Sequence, residues 1–472
     1  MSLDQFFARR TESLKHGLRA FRHPNYRLFF LGQGVSVIGT WMQATALPWM
    51  VFELTHSEAQ LGFVAFAAQI PMAVLAPFTG ALSDRMDRRP ILIATQTVAM
   101  LQAFILAALA FAGAVQVWHI MALSVLIGLV MAFDMPTRQA FVVEMVADKR
   151  DLPSAIALNS LMFNMGRFIG AALGGLMIAF WSPAWVFLVN AISYLAIIVT
   201  YFIMKLPRYK PVARRPRLFA DIREGFVYVF RHRAIRAVLL TLAFMSLAGM
   251  SYATLLPAFA KNVLGGGVAP GLTVVGAALF AFEAATLASG SLDVAGTSCV
   301  ALLPAFAASA VGRGAGAYGL LVACVGAGAV LAGLFLASRR DGAGLSRTVL
   351  LSAAGLSMGV ALFAMSRWLW LSAPILLATG FCGMLMIAGS NTLLQTMVAD
   401  DKRGRLMGMY GLCFLGVAPF GNLLVGLLAE NKSIGPQWTL FSCGLLCLIA
   451  LALLARPILA AHASHADGAG GP

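Results

Sequence analysis

Long apolar runs alternate with short polar breaks along almost the whole chain. Twelve such runs fall at about 28–52, 60–82, 90–112, 117–141, 154–180, 184–204, 237–260, 316–337, 348–365, 369–396, 406–429 and 437–456. A helix of about 20 residues, rising about 1.5 Å each, spans the roughly 30 Å hydrocarbon core of a bilayer. The pattern therefore predicts an all-α membrane protein with twelve transmembrane helices. The basic, proline-punctuated stretch 205–236 divides them six and six. The expected layout is a six-helix half over 1–204 with a basic N-terminus, a linker over 205–236, a second half over 237–459 and a disordered tail over 460–472. In the linker, Phe219, Ile222, Phe226 and Phe230 recur at helical spacing, which predicts an amphipathic surface helix over 218–233.

Positive charge gathers in every second polar break. All but six of the 34 Lys and Arg residues lie in the N-terminal segment, the central linker, the C-terminal end or the alternate breaks around Arg88, Lys149, Arg340 and Lys402. The six exceptions are Arg138, Arg167, Lys261, Arg313, Arg367 and Lys432. Loops dense in Lys and Arg stay cytoplasmic, so both termini and the linker are expected in the cytosol, and the number of crossings is even. A composition of 60% hydrophobic and 11% charged residues excludes an ordinary soluble enzyme. The net charge of +15 then reads as orientation and contact with anionic lipid rather than nucleic-acid binding. Met1–Arg27 has no apolar core ahead of a small-residue cleavage site, so no signal peptide is expected. Its Phe6, Phe7, Leu14, Leu18 and Phe21 suit an interfacial helix.

The halves echo each other. Met-Val-Ala-Asp at 145–148, followed by Lys-Arg, recurs at 397–400, and at that offset of 252 residues Gly174 meets Gly426. Six-helix halves repeated in parallel are one transporter architecture. A second repeat is out of place: Leu-Leu-Pro-Ala-Phe-Ala at 255–260 returns at 302–307 and marks an insert at about 258–304. The charge pattern beyond it requires zero or two crossings there. The cost of Glu283 in lipid favours zero and an appendage on the outer face.

The chemistry-bearing residues are few. The break between the second and third spans holds Gly80, Asp84, Arg85, Arg88 and Arg89. Asp84 can cap the next helix or sit at a neighbouring helix N-terminus, and the arginines can bridge to carboxylates or phospholipid. Arg167 lies near mid-membrane in the fifth span, where an unpaired guanidinium is expensive, so it should face the interior and have a partner. Asp134 in the fourth span is the acidic candidate, and Arg138 one turn on competes for it across Pro136. The pair reads equally as a structural tie or as a proton-sensitive, substrate-contacting site. Asn159 and Asn164 flank it, and the offset replaces Asn159, Asn164 and Arg167 by Gly411, Gly416 and Pro419 in the second half. The charge-dependent mechanism is therefore expected in the first half. Gly166, Gly170 and Gly174 form a small-residue stripe expected to pack on a neighbouring helix. Gln33, Gln43, Gln69, Gln96, Asn190, Asn391, Gln395 and Asn422 can line a cavity or bond between helices. The six cysteines lack paired spacing and read as packing residues. No Gly-x-x-x-x-Gly-Lys-Ser/Thr motif is present, so ATP-driven work within this chain is not expected. Neither catalytic residues, cofactor nor metal is expected.

The order Gly-x-Leu-x-Asp-Arg-x-x-Arg-Arg at 80–89 resembles the loop of the major facilitator superfamily, with Asp87 where a second glycine is usual. Phe21-Arg22 with Asn25-Tyr26-Arg27, Ser36–Met42, Asp134–Phe141 and Ala157–Ser160 are similar to its enterobactin-exporter-like and drug-efflux branch. The resemblance implies the major facilitator fold, with Asp84 and Arg85 in a cytoplasmic gate. It also implies export of a siderophore-like or drug-like compound by alternating access, in exchange for protons, from a bacterial inner membrane and as a monomer. An uptake permease or a non-transporting receptor would share the same features.

Overall fold

The computed structural model describes residues 19–83, 86–146, 148–205, 226–264, 314–338, 344–398 and 402–468. Twelve helices long and apolar enough to cross a membrane occupy them. They are α1 (Pro24–Thr55), α2 (Glu58–Ser83), α3 (Arg88–Phe111), α4 (Val117–Met145), α5 (Leu152–Phe180) and α6 (Pro183–Ile203), followed by α7 (Arg233–Val263), α8 (Ala315–Ser338), α9 (Leu345–Met365), α10 (Leu369–Thr396), α11 (Leu406–Glu430) and α12 (Gly435–Gly468). Each coincides with one expected run. Pro24 and Pro183 open α1 and α6 in the first turn, where a missing N–H costs nothing. His56 stops α1 in the left-handed region at φ 51° and returns its N–H to the Phe52 carbonyl. Asp87, not Asp84, caps α3: its carboxylate accepts the Arg89 N–H at 3.1 Å. The residue that departs from the family's loop pattern thus has a local purpose.

The outward faces are apolar: Leu31, Ile192, Phe202, Leu351 and Leu453 are all exposed. Large apolar side chains exposed along these helices suit lipid, not water. Inside the first half, α1 packs on α5 and α6, α2 on α4, and α3 on α4 and α6. In the second half α8 packs on α10, α9 on α10 and α12, and α7 on α12. Two seams join the halves, α5 on α8 and α2 on α11.

Glycines set the closeness of both seams. A Cβ at Gly175 would collide with Gly319 of α8, and one at Gly426 would lie 2.8 Å from the Gly62 Cα of α2. The structural counterpart of Gly426 is therefore Gly175, one residue from the Gly174 that the sequence offset matches. The Gly166, Gly170 and Gly174 stripe packs on α1, against Val37, Ile38 and Met42. α7 is interrupted by π-helical turns at Met245–Gly249 and Phe259–Val263, and α11 by one at Leu412–Gly416. Such turns free backbone carbonyls and often sit at functional positions. Here Ser246 of one turn donates its hydroxyl to the Phe414 carbonyl of another. The second half has this arrangement of turns where the first half has its polar trio.

Three expectations fall outside the described residues: the N-terminal interfacial helix, most of the linker, and the insert with Glu283 and its crossings. Of the linker's expected helix, residues 226–231 are helical. The tail expected to be disordered from 460 is corrected in part, because α12 continues to Gly468, past the end of its apolar span at Leu459.

Candidate functional site

Asp134 is wholly buried in α4 and is the hub of a polar cluster. Its Oδ1 accepts the Gln96 amide at 2.7 Å and the Thr95 hydroxyl at 3.2 Å, both from α3. Arg138 Nη1 lies 3.1 Å from Oδ2, close enough for an ion pair but off the axis of a hydrogen bond. That guanidinium also lies over the Phe163 ring of α5, 4.6 Å from its centroid. The phenols of Tyr194 and Tyr201 in α6 are also within electrostatic reach of Asp134 and Arg138.

The sequence offered Arg167 as the partner of Asp134, and the structure corrects this to Arg138. Positions i and i+4 share a helix face, so the pair forms if α4 stays helical through Pro136. It does stay helical. Proline removes the N–H that would bond the carbonyl four residues back, at Ala132. That carbonyl instead accepts the Thr79 hydroxyl of α2 at 2.6 Å. A neighbouring helix repairs the gap, and Asp134 and Arg138 remain stacked.

Arg167 sits apart, about 22 Å along α5 from its start. Its guanidinium lies over the Trp41 indole of α1, 4.4 Å from the centroid. Its stem lies against Gly326 of α8, so it occupies the seam between the halves. The phenol of Tyr252 in α7 is within electrostatic reach of it. Among the described residues no carboxylate pairs with it. A desolvated cation–π contact is worth about 2 kcal/mol, which offsets part of the few kcal/mol that a mid-membrane arginine costs. Asn164 turns back to the Ser160 carbonyl of its own helix at 2.9 Å, and the buried Asn159 Oδ1 has no donor. The five expected cavity residues therefore do not form one site: Asp134 and Arg138 pair, Arg167 lies apart, and no contact joins Asn159 or Asn164 to either among the described residues.

Of the expected gating residues, Gly80 lies in α2, and Asp84 and Arg85 fall outside the described residues. Arg88 pairs with Glu144 of α4, and Arg89 donates to the Phe202 carbonyl of α6 at 2.9 Å. Both contacts tie helices within the first half. The neighbouring contacts on this basic face behave alike: His23 meets Asp151 at 3.1 Å, and the Tyr26 hydroxyl donates to the Ala155 carbonyl at 2.8 Å.

The opposite face is different, and sequence reasoning missed it. There Lys261 of α7 pairs with Glu53 of α1 at 2.7 Å. Glu430 at the end of α11 accepts the Ser57 hydroxyl at 2.8 Å and the Ala59 N–H at 3.0 Å, and so caps α2 from the other half. Trp49 stacks on Tyr318, with centroids 5.8 Å apart. The Gly175–Gly319 and Gly62–Gly426 contacts lie at the same end. A signal existed: Lys261 is one of the few cations off the basic side, and such a residue at a helix end calls for a partner.

A second buried chain of amides crosses the first half. Asn190 of α6 donates to Gln43 of α1 at 2.8 Å, and Gln43 donates to Gln102 of α3 at 3.1 Å. These residues satisfy one another, so Gln43 and Asn190 hold helices together rather than line a cavity. Gln102 had not been singled out.

These helices, seams and polar hubs define a transporter-like membrane fold, and comparison with known proteins agrees. A family model described as "Transmembrane secretion effector" matches residues 16–292 and 282–468, its two pieces meeting inside the insert. The chain belongs to that family, within the major facilitator superfamily of transporters rather than enzymes. The staphyloferrin A transporter of Staphylococcus aureus is 27% identical over 51% of this chain and 60% of its own length. Macrolide efflux protein A of Streptococcus pyogenes is 22% identical over 46% of this chain and 55% of its own. The chain thus spans little more than half the length of these relatives. Among solved structures, the nucleoside transporter NupG superposes with a TM-score of 0.63 at 12% identity, over 92% of this chain and 98% of that one. An inward-facing bacterial homologue of the lysosomal transporter Spinster gives 0.58 at 13% identity, over 93% and 98%. Both likenesses concern the fold alone.

Proposed function

We propose that this protein exports small amphipathic compounds across the bacterial inner membrane by alternating access, in exchange for protons. Siderophore and macrolide handling in the names of its relatives supports that range of cargo. The basic face is assigned to the cytosol by its charge. Among the described residues the cross-half contacts are concentrated on the opposite face, so on that assignment the conformation is closed on the outside. Asp84 and Arg85 would form the converse gate, with Gly80, Arg88 and Arg89 around them, when the inner ends meet.

Asp134 is the proposed coupling carboxylate, and its complete burial beside Arg138 carries the reading. Coupling requires an ionisable group whose protonation changes with access. In its charged form Asp134 holds Arg138 and the α3 donors. Protonation removes the Coulomb attraction and frees Arg138, which then keeps only its contact over Phe163. Arg138, Asn159, Asn164 and Arg167 would respond to that change or contact cargo. The test is transport in proteoliposomes, screening siderophores and lipophilic drugs with and without an imposed pH gradient. Asp134→Asn is expected to abolish the stimulation by the gradient while leaving counterflow of cargo. If stimulation persists in that variant, Asp134 is not the coupling site. Sidedness is read in inside-out vesicles, where accumulation marks export and its absence marks uptake.

A further inference from the structure

Three side chains charged at neutral pH are described at mid-depth within the spans: Asp134, Arg138 and Arg167. The first two neutralise each other at 3.1 Å. Arg167 therefore leaves one uncompensated positive charge at the centre of the molecule. Unlike Asp134, which is wholly buried, Arg167 is only partly covered. It is presented at the seam where α1 and α5 of one half face α7 and α8 of the other. Its one close partner, Trp41, puts its ring centroid 4.4 Å from the guanidinium carbon and offers no acceptor, so the N–H donors are without acceptors among the described residues. A guanidinium with a ring beside it and its N–H donors unused matches a carboxylate or similar oxyanion, which it can bind through parallel hydrogen bonds.

We propose that Arg167 is the docking point for an anionic group of the cargo, so that the transported compound is an amphipathic anion with an oxyanion at one end. The bilayer position adds selectivity. A bare cation here is unfavourable, and an arriving anion relieves that cost, whereas an arriving cation increases it. Trp41 contributes an apolar surface beside the charge for the body of the same molecule. The proposal rests on the transporter reading but is narrower, because it selects anionic over cationic cargo.

Binding to the full chain purified in dodecyl maltoside tests it without requiring flux. The probes are 2-naphthoate and 2-naphthylmethylammonium, which share a ring system and differ in charge, with 2-naphthalenemethanol as the measure of detergent partitioning. Equilibrium dialysis is expected to show naphthoate held at least tenfold more tightly than the ammonium. Arg167→Gln is expected to erase that preference, and Arg167→Lys to keep part of it, since lysine retains the charge but loses the planar fork. Equal affinity of the wild-type protein for the two ions overturns the proposal, as does an anion preference that survives in Arg167→Gln. The wild-type comparison stands even if a variant fails to fold. Loss of gradient-driven flux with the anion preference intact would instead count against the transport reading alone.

Discussion

Replacing Glu430 by Ala should loosen the contact between the halves, at the face opposite the basic one, by a calculable amount. The carboxylate accepts two hydrogen bonds from the other half, from Ser57 at 2.8 Å and from the Ala59 N–H at 3.0 Å. It also places a negative charge at the N-terminus of α2. Hydrogen bonds to a charged group contribute about 1.5–3 kcal/mol each when well shielded, and a charge at a helix end about 0.3–1 kcal/mol. Glu430 is exposed, so solvent screening reduces the total, and about 1.5 kcal/mol is a reasonable remainder. Since about 1.4 kcal/mol is a factor of ten, the open-to-closed ratio of this contact should rise roughly tenfold. Hydrogen–deuterium exchange reads this directly, because the Ala59 amide loses its acceptor and the first turn of α2 its cap. Peptides covering 53–64 should exchange about tenfold faster in Glu430→Ala, with peptides from the basic end of α3 unchanged. Exchange equal to wild type across 53–64 would refute the idea that Glu430 clasps the halves.

Two further outcomes follow from the packing and the buried pair. Gly175→Ala should push α5 off α8, because the new Cβ overlaps Gly319; overpacking of this kind costs about 1–3 kcal/mol. Gly333→Ala, where a Cβ meets nothing within 4 Å, should be neutral or slightly stabilising, and thermal unfolding in detergent compares the two. Arg138→Gln leaves the Asp134 charge uncompensated in a buried site, a change worth about 3–5 kcal/mol. Adding Asp134→Asn should recover much of that loss, and strictly additive destabilisation in the double variant would show that the pair does not interact as described.

Much of this was legible in one dimension because lipid imposes its rule locally. A span must satisfy its own backbone hydrogen bonds and cover itself with apolar side chains, so the twelve helices appear in the sequence as twelve runs, and α1 through α12 coincide with them. The small-residue stripe on α5 and the buried carboxylate at Asp134 were visible for the same reason: each departs from the apolar background. What could not be read was who meets whom. Arg167 and Arg138 both needed a partner for reasons of depth, but only helix phase and the Thr79 hydroxyl on the Ala132 carbonyl decided that Arg138 takes Asp134. Asp87 rather than Asp84 caps α3 because the turn geometry, not the residue type, selects the cap. The clasp between Glu430 and the start of α2 joins residues more than 370 positions apart, and no periodicity encodes such a contact. Sequence by itself determined the crossings and the side on which charge gathers, because hydrophobicity and charge act residue by residue against a planar solvent. Tertiary structure alone decided the pairing of charges and the seams between halves, because these depend on the relative rotation of helices that the bilayer leaves free.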